Sequence, residues 1–473
     1  MTTNALPSSQ IVLNDLQQYS HDQLHLFATN KLPVTRPYAV LRGYAGTGKT
    51  TLTEFLIKTL LRENLEVGVA APTHKAVKVL KESKVDGIEY RTVHSMLRLK
   101  EKRNDTTGEI TYEEDKFSKE SIPIEDLDVL ILDEASMLGK DLFMRIAEWI
   151  RRNKLRVIFI GDPAQIPPVK EDDAIPFKAA KEWGALELEL SEIMRQKEGN
   201  PILEFATEVR SNYKAGHFTP KQHTREITGD AVGVAWEGIS LIEHSSAEEY
   251  EIMKFYFTKP QFQENADFMK VIAWRNATVD TYNMMIRNIL YGQQGHIPDI
   301  VVGEKLIMDA PYVLTARNIL ANNEELEVLN VSTSNTVFMW VDDMNQMQNE
   351  NFLTYQARVR YWKDGDEYTT TLPIVHETSA GTLNSLMNRL ALMATKAPYE
   401  TRKSHWRQYF KLKDLFAQVK YNYAITGHKS QGSTYDQCLV LKWDIDVNRN
   451  IEERNRILYV ACTRPRHRLF IEV

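Results

Sequence analysis

Cysteine is nearly absent: the 473 residues hold two, Cys438 and Cys462. Both sit in apolar contexts, Gln-Cys-Leu-Val and Val-Ala-Cys-Thr, with no metal-ligand spacing around them. They read as reduced core thiols of a cytosolic protein, which excludes a disulfide scaffold. Long hydrophobic runs are missing too. No segment approaches the roughly 18 apolar residues of a membrane span, and residues 1 to 30 lack the basic stretch and apolar core of an export signal, so the expectation is a cytoplasmic protein without membrane contact. There is no short-period repeat and no low-complexity tract, which excludes solenoids and fibres. Nor is there an excess of positive charge. Lys+Arg 58 against Asp+Glu 64 leaves a net charge of −6, so any nucleic-acid site must be a local basic track. What remains is ordinary globular usage, 43% hydrophobic and 26% charged, in a chain long enough for about three domains.

From about residue 37 to 190, short β-branched runs alternate with amphipathic segments, the pattern of βαβ units feeding a parallel sheet. The predicted strands are Tyr38 to Leu41, Val67 to Ala71, Val129 to Leu132, Val157 to Ile160 and Leu186 to Leu190. Leu52, Phe55, Leu56 and Leu60 repeat at helical spacing and predict a helix beginning at Lys49 or Thr50. A second such region begins near Val271 to Trp274, runs into a helix through Val279, Tyr282, Asn283 and Ile286, and breaks off. It resumes near Tyr423, with strands Leu439 to Leu441 and Leu469 to Val473 and a helix Glu452 to Ala461. Between about 310 and 395 the texture changes to alternation, in Val337 to Val341 and Phe352 to Tyr361, with Asp364-Gly365 placed like a hairpin turn before Tyr368. This predicts a small inserted β-barrel. Leu97 to Lys102 and Glu109 to Phe117 alternate as well, flanking Asn104-Asp-Thr-Thr-Gly108, and predict a charged β-hairpin projecting from the first sheet.

Gly43-Tyr-Ala-Gly46-Thr-Gly48-Lys49-Thr50 fits G-x-x-x-x-G-K-[ST] directly after a strand and opening a helix, the context that a phosphate-binding loop demands. Gly43, Ala45, Gly46, Thr47, Gly48, Lys49, Thr50 and Thr51 are therefore the candidate ATP ligands. Backbone N–H groups wrap the phosphates, Lys49 reaches the β- and γ-phosphates, and the Thr50 hydroxyl takes Mg²⁺. The apolar run Val129 to Leu132 ends in Asp133-Glu134, two carboxylates at the carboxyl end of a buried strand. Asp133 suits the metal and Glu134 the base that orients and deprotonates the attacking water. A third run, Val157 to Ile160, ends in Gly161-Asp162-Pro-Ala-Gln165, where Gln165 is placed to sense the γ-phosphate.

In this order and spacing, these residues resemble a family: the superfamily-one helicases of the RecD-like, 5′-to-3′ branch, and within it the Dda-type helicases of tailed phages. The resemblance runs nearly end to end. It rests on Gly43 to Thr50, Ala71-Pro-Thr-His-Lys-Ala76, Thr92-Val-His-Ser95, Asp133 to Ser136, Gly161 to Gln165, Leu190-Ser-Glu-Ile-Met-Arg195, the segment Ala424 to Thr434, and Leu458-Tyr-Val-Ala-Cys-Thr-Arg464. It implies an α/β protein of two RecA-like parallel-sheet domains, with a β-hairpin pin inserted in the first and an SH3-like β-barrel inserted in the second. The expected boundaries are 1–196 for the first domain with the pin at 97–118, 197–309 for the first part of the second, 310–395 for the barrel, and 396–473 for the remainder. It further implies that Gln23 contacts adenine, that Gly432 lies at the nucleotide, and that Arg195 and Arg464 reach the γ-phosphate from opposite lobes. A guanidinium supplied across the site stabilises transition-state charge and ties closure to ATP.

Single-stranded DNA is expected across both lobes, touched by Pro72, Thr73, His74, Thr92 and His94 in the first and by Thr426, His428, Lys429 and Ser430 in the second. Such groups satisfy phosphates without reading bases. His74 and His94 also suit ordinary capping or core positions. Lys396 to Lys420 mixes seven basic residues with Tyr399, Trp406, Tyr409 and Phe410, which fits either a groove with stacking platforms or a solvated amphipathic helix. The resemblance implies an ATP- and Mg²⁺-dependent monomeric motor on single-stranded and forked DNA, serving replication, recombination or repair of a phage genome inside a bacterium. A single-strand-binding protein and replisome components are the further expected partners. An RNA-directed translocase, a P-loop kinase and a non-catalytic DNA clamp stay open as alternatives, separated by whether nucleic acid stimulates hydrolysis and which sugar it carries.

Overall fold

The computed structural model describes residues 13–31, 36–44, 46–82, 85–103, 110–115, 123–153, 155–168, 171–192, 200–226, 236–292, 296–315, 318–363 and 366–473. Ala45, Arg195, the hairpin tip Asn104 to Gly108 and the Asp364-Gly365 turn fall outside them. The chain divides into two compact units, one of residues 1–97 and 118–199, the other of 98–117 and 200–473.

The first unit is built on β1 (Ala39–Gly43), β2 (Val67–Ala71), β3 (Tyr90–Thr92), β6 (Val129–Leu132), β7 (Arg156–Gly161) and β8 (Leu186–Leu190), with all five strands predicted above among them. They form a parallel sheet in the order β3-β2-β6-β7-β1-β8. β2 and β6 are buried along their whole length. Covered on both faces, such strands must be apolar at every position, which is why they stand out in the sequence as unbroken runs. The helix Lys49–Arg62 follows β1 and buries Leu52, Leu56, Ile57 and Leu60. Phe55 is only half-buried, so Ile57 completes the buried stripe in its place. Together with Leu24, Phe27, Leu41, Val69 and Ile131 these side chains make one core.

Residues 98–117 group with the second unit rather than the first, although the chain enters and leaves them from the first. Within them β4 (Leu99–Arg103) and β5 (Ile110–Glu114) form an antiparallel ladder from Leu99↔Glu114 to Arg103↔Ile110.

The second unit holds another six-stranded sheet, from β9 (His223–Glu226), β10 (Trp236–Ile242), β11 (Met269–Ala273), β19 (Ala424–Thr426), β20 (Tyr435–Leu441) and β21 (Pro465–Glu472). Its order is β19-β11-β20-β21-β10-β9, parallel except for β9. The helices Asn276–Tyr291 and Ile451–Cys462 flank it. Asp444, fully buried, accepts from the Trp274 and Arg275 amides at 2.7 and 2.9 Å and so satisfies the N-terminus of the former.

An antiparallel sheet interrupts this fold: β12 (Lys305–Met308), β15 (Glu325–Val341), β16 (Met347–Lys363), β17 (Asp366–Val375) and β18 (Val419–Tyr421), ordered β17-β16-β15-β12-β18. A small ladder of β13 (Tyr312–Thr315) and β14 (Asn318–Leu320) accompanies it. Ala417, just ahead of β18, donates its amide to Pro373 of β17 at 2.8 Å, which draws the two outer strands of the sheet toward each other. The insertion differs from the expected span 310–395 at both ends. It begins at Lys305, and its last strand lies past a pair of helices, Glu377–Lys396 and Tyr399–Lys413. Residues 377–395, assigned to the barrel on sequence, are helical because Leu383, Leu386, Met387 and Leu390 recur every three to four positions and pack against Phe338, Trp340 and Phe352 at the far end of the β15–β16 ribbon.

Candidate functional site

The order of the first sheet sets β6, β7 and β1 side by side, so their three carboxyl ends, carrying Asp133-Glu134, Gly161 to Gln165 and the glycine-rich loop, open on one crevice. Gly48 is the N-cap of the helix Lys49–Arg62 and adopts φ 80°, ψ 24°. This left-handed conformation is open to glycine without steric cost, and it turns the loop into the helix. Gly43 closes β1, and Thr50 and Thr51 lie in the first helical turn. Lys49 Nζ donates to the Gly43 and Tyr44 carbonyls at 2.7 and 3.0 Å. The Thr47 hydroxyl, buried, donates to the Tyr44 carbonyl at 2.9 Å.

Beside the loop, Asp133 Oδ1 accepts from the Glu134 amide at 2.8 Å. Burial, and secondarily the Glu134 charge, push the Asp133 carboxyl up to about 6, against the pull of Lys49 and that amide. Those influences put Lys49, Asp133 and Glu134 in one electrostatic neighbourhood. Glu134 carries two marks of a functional position. Its backbone is left-handed, φ 51° and ψ 37°, which costs a non-glycine residue about 1 kcal/mol. Its Oε2 is buried with no hydrogen-bond partner, a condition that native structures rarely tolerate. The end of β7 pins the turn from the other side. A Cβ on Gly161 would lie 3.1 Å from the amides of Ala135 and Ser136, so any larger residue here would push the two strand ends apart by a few tenths of an ångström. Asp162, fully buried, holds the next turn through Ala164 N at 3.0 Å, and Gln165, bonded from its own amide to the Asp162 carbonyl at 3.1 Å, is buried beneath it.

One residue at the loop had no signal in the sequence. Gln17, in the helix Asp15–Ala28, is 3% exposed and donates its Nε2 to the Thr47 carbonyl at 3.1 Å, while its Oε1 accepts from the Asn14 amide. Gln23 lies in the same helix, part-exposed and roughly 9 Å further along its axis.

The other expected residues fall in two matched places. In the first unit Thr73 follows β2 and Thr92 ends β3, their hydroxyls accepting from the Ala76 and Ser95 amides at 3.2 Å each. Pro72 and His94 are part-buried, and His74 opens the helix His74–Glu82 with its side chain exposed. In the second unit Thr426 ends β19 and caps the turn Gly427–Ser430 by accepting from Lys429 N at 3.2 Å. β3 and β19 are the edge strands of their sheets, so Thr92-Val-His94-Ser95 and Thr426-Gly-His428-Lys429 occupy equivalent positions. Burial pushes both His94 and His428 below the usual histidine value, and each is neutral at pH 7. Lys429 Nζ lies 3.4 Å from Asp309, which Lys420 also approaches. Ser430 is fully buried and its hydroxyl donates to the Gly427 carbonyl at 2.8 Å, so it braces the turn from inside.

Gly432 follows that turn at φ 73°. Arg464, 6% exposed, is held by the Val460 and Ser433 carbonyls at 2.9 and 3.0 Å and by the Thr463 hydroxyl at 2.8 Å. In the helix Tyr399–Lys413, Trp406 stacks on Phe410 with ring centroids 5.7 Å apart, and Tyr409 meets Phe410 edge-on. These rings engage one another, which favours the amphipathic-helix reading of that segment over stacking platforms; Tyr399 alone is 77% exposed.

The chain is similar to several known proteins. Residues 18–228 match the family described as an AAA domain, and residues 421–471 match the UvrD-like helicase C-terminal domain. The chain is 28% identical over 457 residues to the ATP-dependent DNA helicase dda of Enterobacteria phage T4, covering 92% of this chain and 94% of that protein. It is 34% identical over 167 residues to the ATP-dependent RecD2 DNA helicase of Deinococcus radiodurans, covering 35% and 21% respectively. A Pif1 helicase from Bacteroides, solved with ADP-AlF3 and single-stranded DNA, overlays 98% of this chain and 92% of its own at a TM-score of 0.48 and 17% identity.

Proposed function

Because this chain belongs to the superfamily-one helicases of the 5′-to-3′ branch, we propose that its glycine-rich loop, carboxylate pair and paired threonine turns divide the work of an ATP-dependent DNA helicase. The observation that carries the reading is the convergence of Lys49, Asp133 and the strained, half-orphaned Glu134 at the carboxyl ends of β1 and β6. Loop amides and Lys49 bind the phosphates. Glu134, whose Oε2 has no hydrogen-bond partner among the described residues, accepts the proton of the attacking water. Gln165 senses the γ-phosphate, and Arg195 and Arg464 neutralise the charge that develops there. Gln23 and Gly432 complete the nucleotide's surroundings. The hydroxyl of Thr50 and the carboxylate of Asp133 form the hard-oxygen donor set that Mg²⁺ prefers, and two adjacent buried carboxyls call for a compensating cation. When bound, that ion supplies charge neutralisation on the β- and γ-phosphates.

Pro72, Thr73, His74, Thr92 and His94 grip DNA phosphates in the first unit, and Thr426, His428 and Lys429 in the second, with Ser430 keeping the turn in shape. Binding and loss of ATP alternate those two grips, which moves the protein along a single strand. The hairpin β4–β5 acts as the strand-separating pin, a steric wedge, and the inserted antiparallel sheet is read as an SH3-like barrel. The relative from phage T4 favours service at the replication, recombination or repair forks of a phage genome.

Forked duplexes carrying only a 5′ or only a 3′ tail test this directly. Unwinding of the 5′-tailed fork alone, abolished by Lys49→Ala, is expected. Unwinding of the 3′-tailed fork instead, or ATP hydrolysis indifferent to DNA and RNA alike, would refute the reading.

A further inference from the structure

A second cluster of chemistry-bearing side chains lies at the carboxyl ends of β10 and β21, apart from every motif discussed above. His244 follows β10, Glu249 lies in the first turn of the helix Ala247–Phe257, and Glu472 ends β21. Each offers a ligand atom, and these atoms all lie within 4.8 Å of one another. Glu472 is fully buried and Glu249 is 2% exposed.

Part of this arrangement is helix capping. Glu249 Oε2 accepts from the Ser245 amide at 3.0 Å while the Ser246 hydroxyl accepts from the Glu249 amide at 3.2 Å, as N-terminal turns commonly arrange. Capping accounts for one carboxylate oxygen. The other, Glu249 Oε1, is buried with no hydrogen-bond partner among the described residues. The Glu249 carboxyl faces Glu472 and the Tyr282 hydroxyl, and no basic side chain is among the influences on its ionisation. His244 Nδ1 contacts Glu472 Oε1, so either a protonated imidazole or a bound cation is what lets these two facing carboxylates be charged together.

We propose that His244, Glu249 and Glu472 bind a divalent transition metal ion of the zinc class. One imidazole nitrogen and two carboxylate oxygens are a donor set suited to such ions, and a neutral imidazole with two carboxylates and a dication sums to zero charge. Ligands about 2 Å from a common centre lie roughly 3–4 Å apart, so an entering ion parts the His244–Glu472 contact and draws the more distant ligand atoms in by about 1 Å. The surroundings hold the ligands in the required orientation. Tyr282 donates its hydroxyl to Glu472 Oε2 at 2.9 Å, and the Trp443 ring packs on the His244 imidazole with centroids 4.3 Å apart. His244 is half-exposed, and a cavity of about 470 Å³ lined by His244, Glu249, Tyr282, Arg275 and Trp443 opens beside it. That cavity gives the ion an entry path and leaves its fourth position to water. Bound there, the ion ties the loop after β10, the helix Ala247–Phe257 and the end of β21 into one unit.

Cobalt(II) is the probe, added to the full-length protein without nucleotide after treatment with a chelator. The expected result is one equivalent bound per chain with visible d–d absorption, displaced by zinc, and a raised melting temperature of the second unit. Binding should weaken more than about a hundredfold in Glu249→Gln and in His244→Gln, the latter at a half-exposed position where the fold survives. Asp133→Asn, which alters the expected Mg²⁺ site, should leave cobalt binding unchanged. Absence of bands and of retained metal overturns the inference, as does equal binding by the His244 and Glu249 variants. Loss in Asp133→Asn alone places the ion at the nucleotide and also overturns it, while leaving the helicase reading intact.

Discussion

Under the proposed function, Glu134 trades stability for chemistry. Its left-handed backbone and its buried oxygen, unpartnered among the described residues, are both unfavourable in the resting protein, and on that reading both position a carboxylate for water activation. Glu134→Gly should therefore raise the stability of the first unit by about 1 kcal/mol, measured by chemical denaturation, while abolishing hydrolysis. Glu134→Gln, which retains the shape, should bind ATP normally and hydrolyse it about 10² to 10⁴ times more slowly. Unchanged turnover in the glutamine variant removes Glu134 as the base. Asp133 gives the site a pH dependence whose sign follows from its environment. Burial and the neighbouring Glu134 raise its carboxyl to about 6, so the folded protein favours the protonated form, and the resting fold loses a little stability as pH rises through that value. Metal binding needs the ionised form. Mg²⁺-dependent nucleotide affinity should accordingly tighten as pH rises through about 6 and level off above it, and Asp133→Asn should flatten the profile. A fluorescent nucleotide titrated across that range reads the effect.

At the scale of elements, the junction between the second sheet and its insertion depends on a buried ion pair. Arg287 in the helix Asn276–Tyr291 donates to Glu304 through Nε at 2.9 Å and Nη2 at 3.0 Å, and the Tyr423 hydroxyl donates to the same carboxylate at 2.9 Å. Both charged residues are fully buried. Removing one partner strands the other, so Arg287→Ala should cost about 3–5 kcal/mol, whereas replacing both by methionine should recover most of the loss; urea denaturation of the full chain compares them. The same scale shows what the sequence could convey. β2, β6 and β7 are buried on both faces and announce themselves as apolar runs, and the helix after the glycine-rich loop announces itself by its leucine spacing. β3 is three residues long and contains Arg91, too short and too polar to show a period. The helix Glu377–Lys396 was hidden by the alternating strands before it, and β18 because a helical pair separates it from the sheet it completes. Gln17 acts on a backbone carbonyl, a contact that leaves no trace in residue spacing. The loop and the carboxylate pair were legible because each follows an apolar strand directly, and strand ends are where chemistry is displayed; the two threonine turns were legible only through the family resemblance.

For the whole molecule, the net charge of −6 means that the proposed DNA grip must come from local groups rather than from the overall field. Lys429 is partly balanced by Asp309, and His94 and His428 are neutral, so the proposed grip rests largely on hydroxyls and neutral imidazoles, which suits a strand that must slide. The defining claim is that hydrolysis at the loop of the first unit depends on a guanidinium from the second. Steady-state turnover of Arg464→Ala on saturating single-stranded DNA measures this most directly. A fall in kcat of about 10³ or more is expected, with nucleotide binding largely preserved, whereas turnover equal to that of the unaltered protein would contradict a two-unit motor.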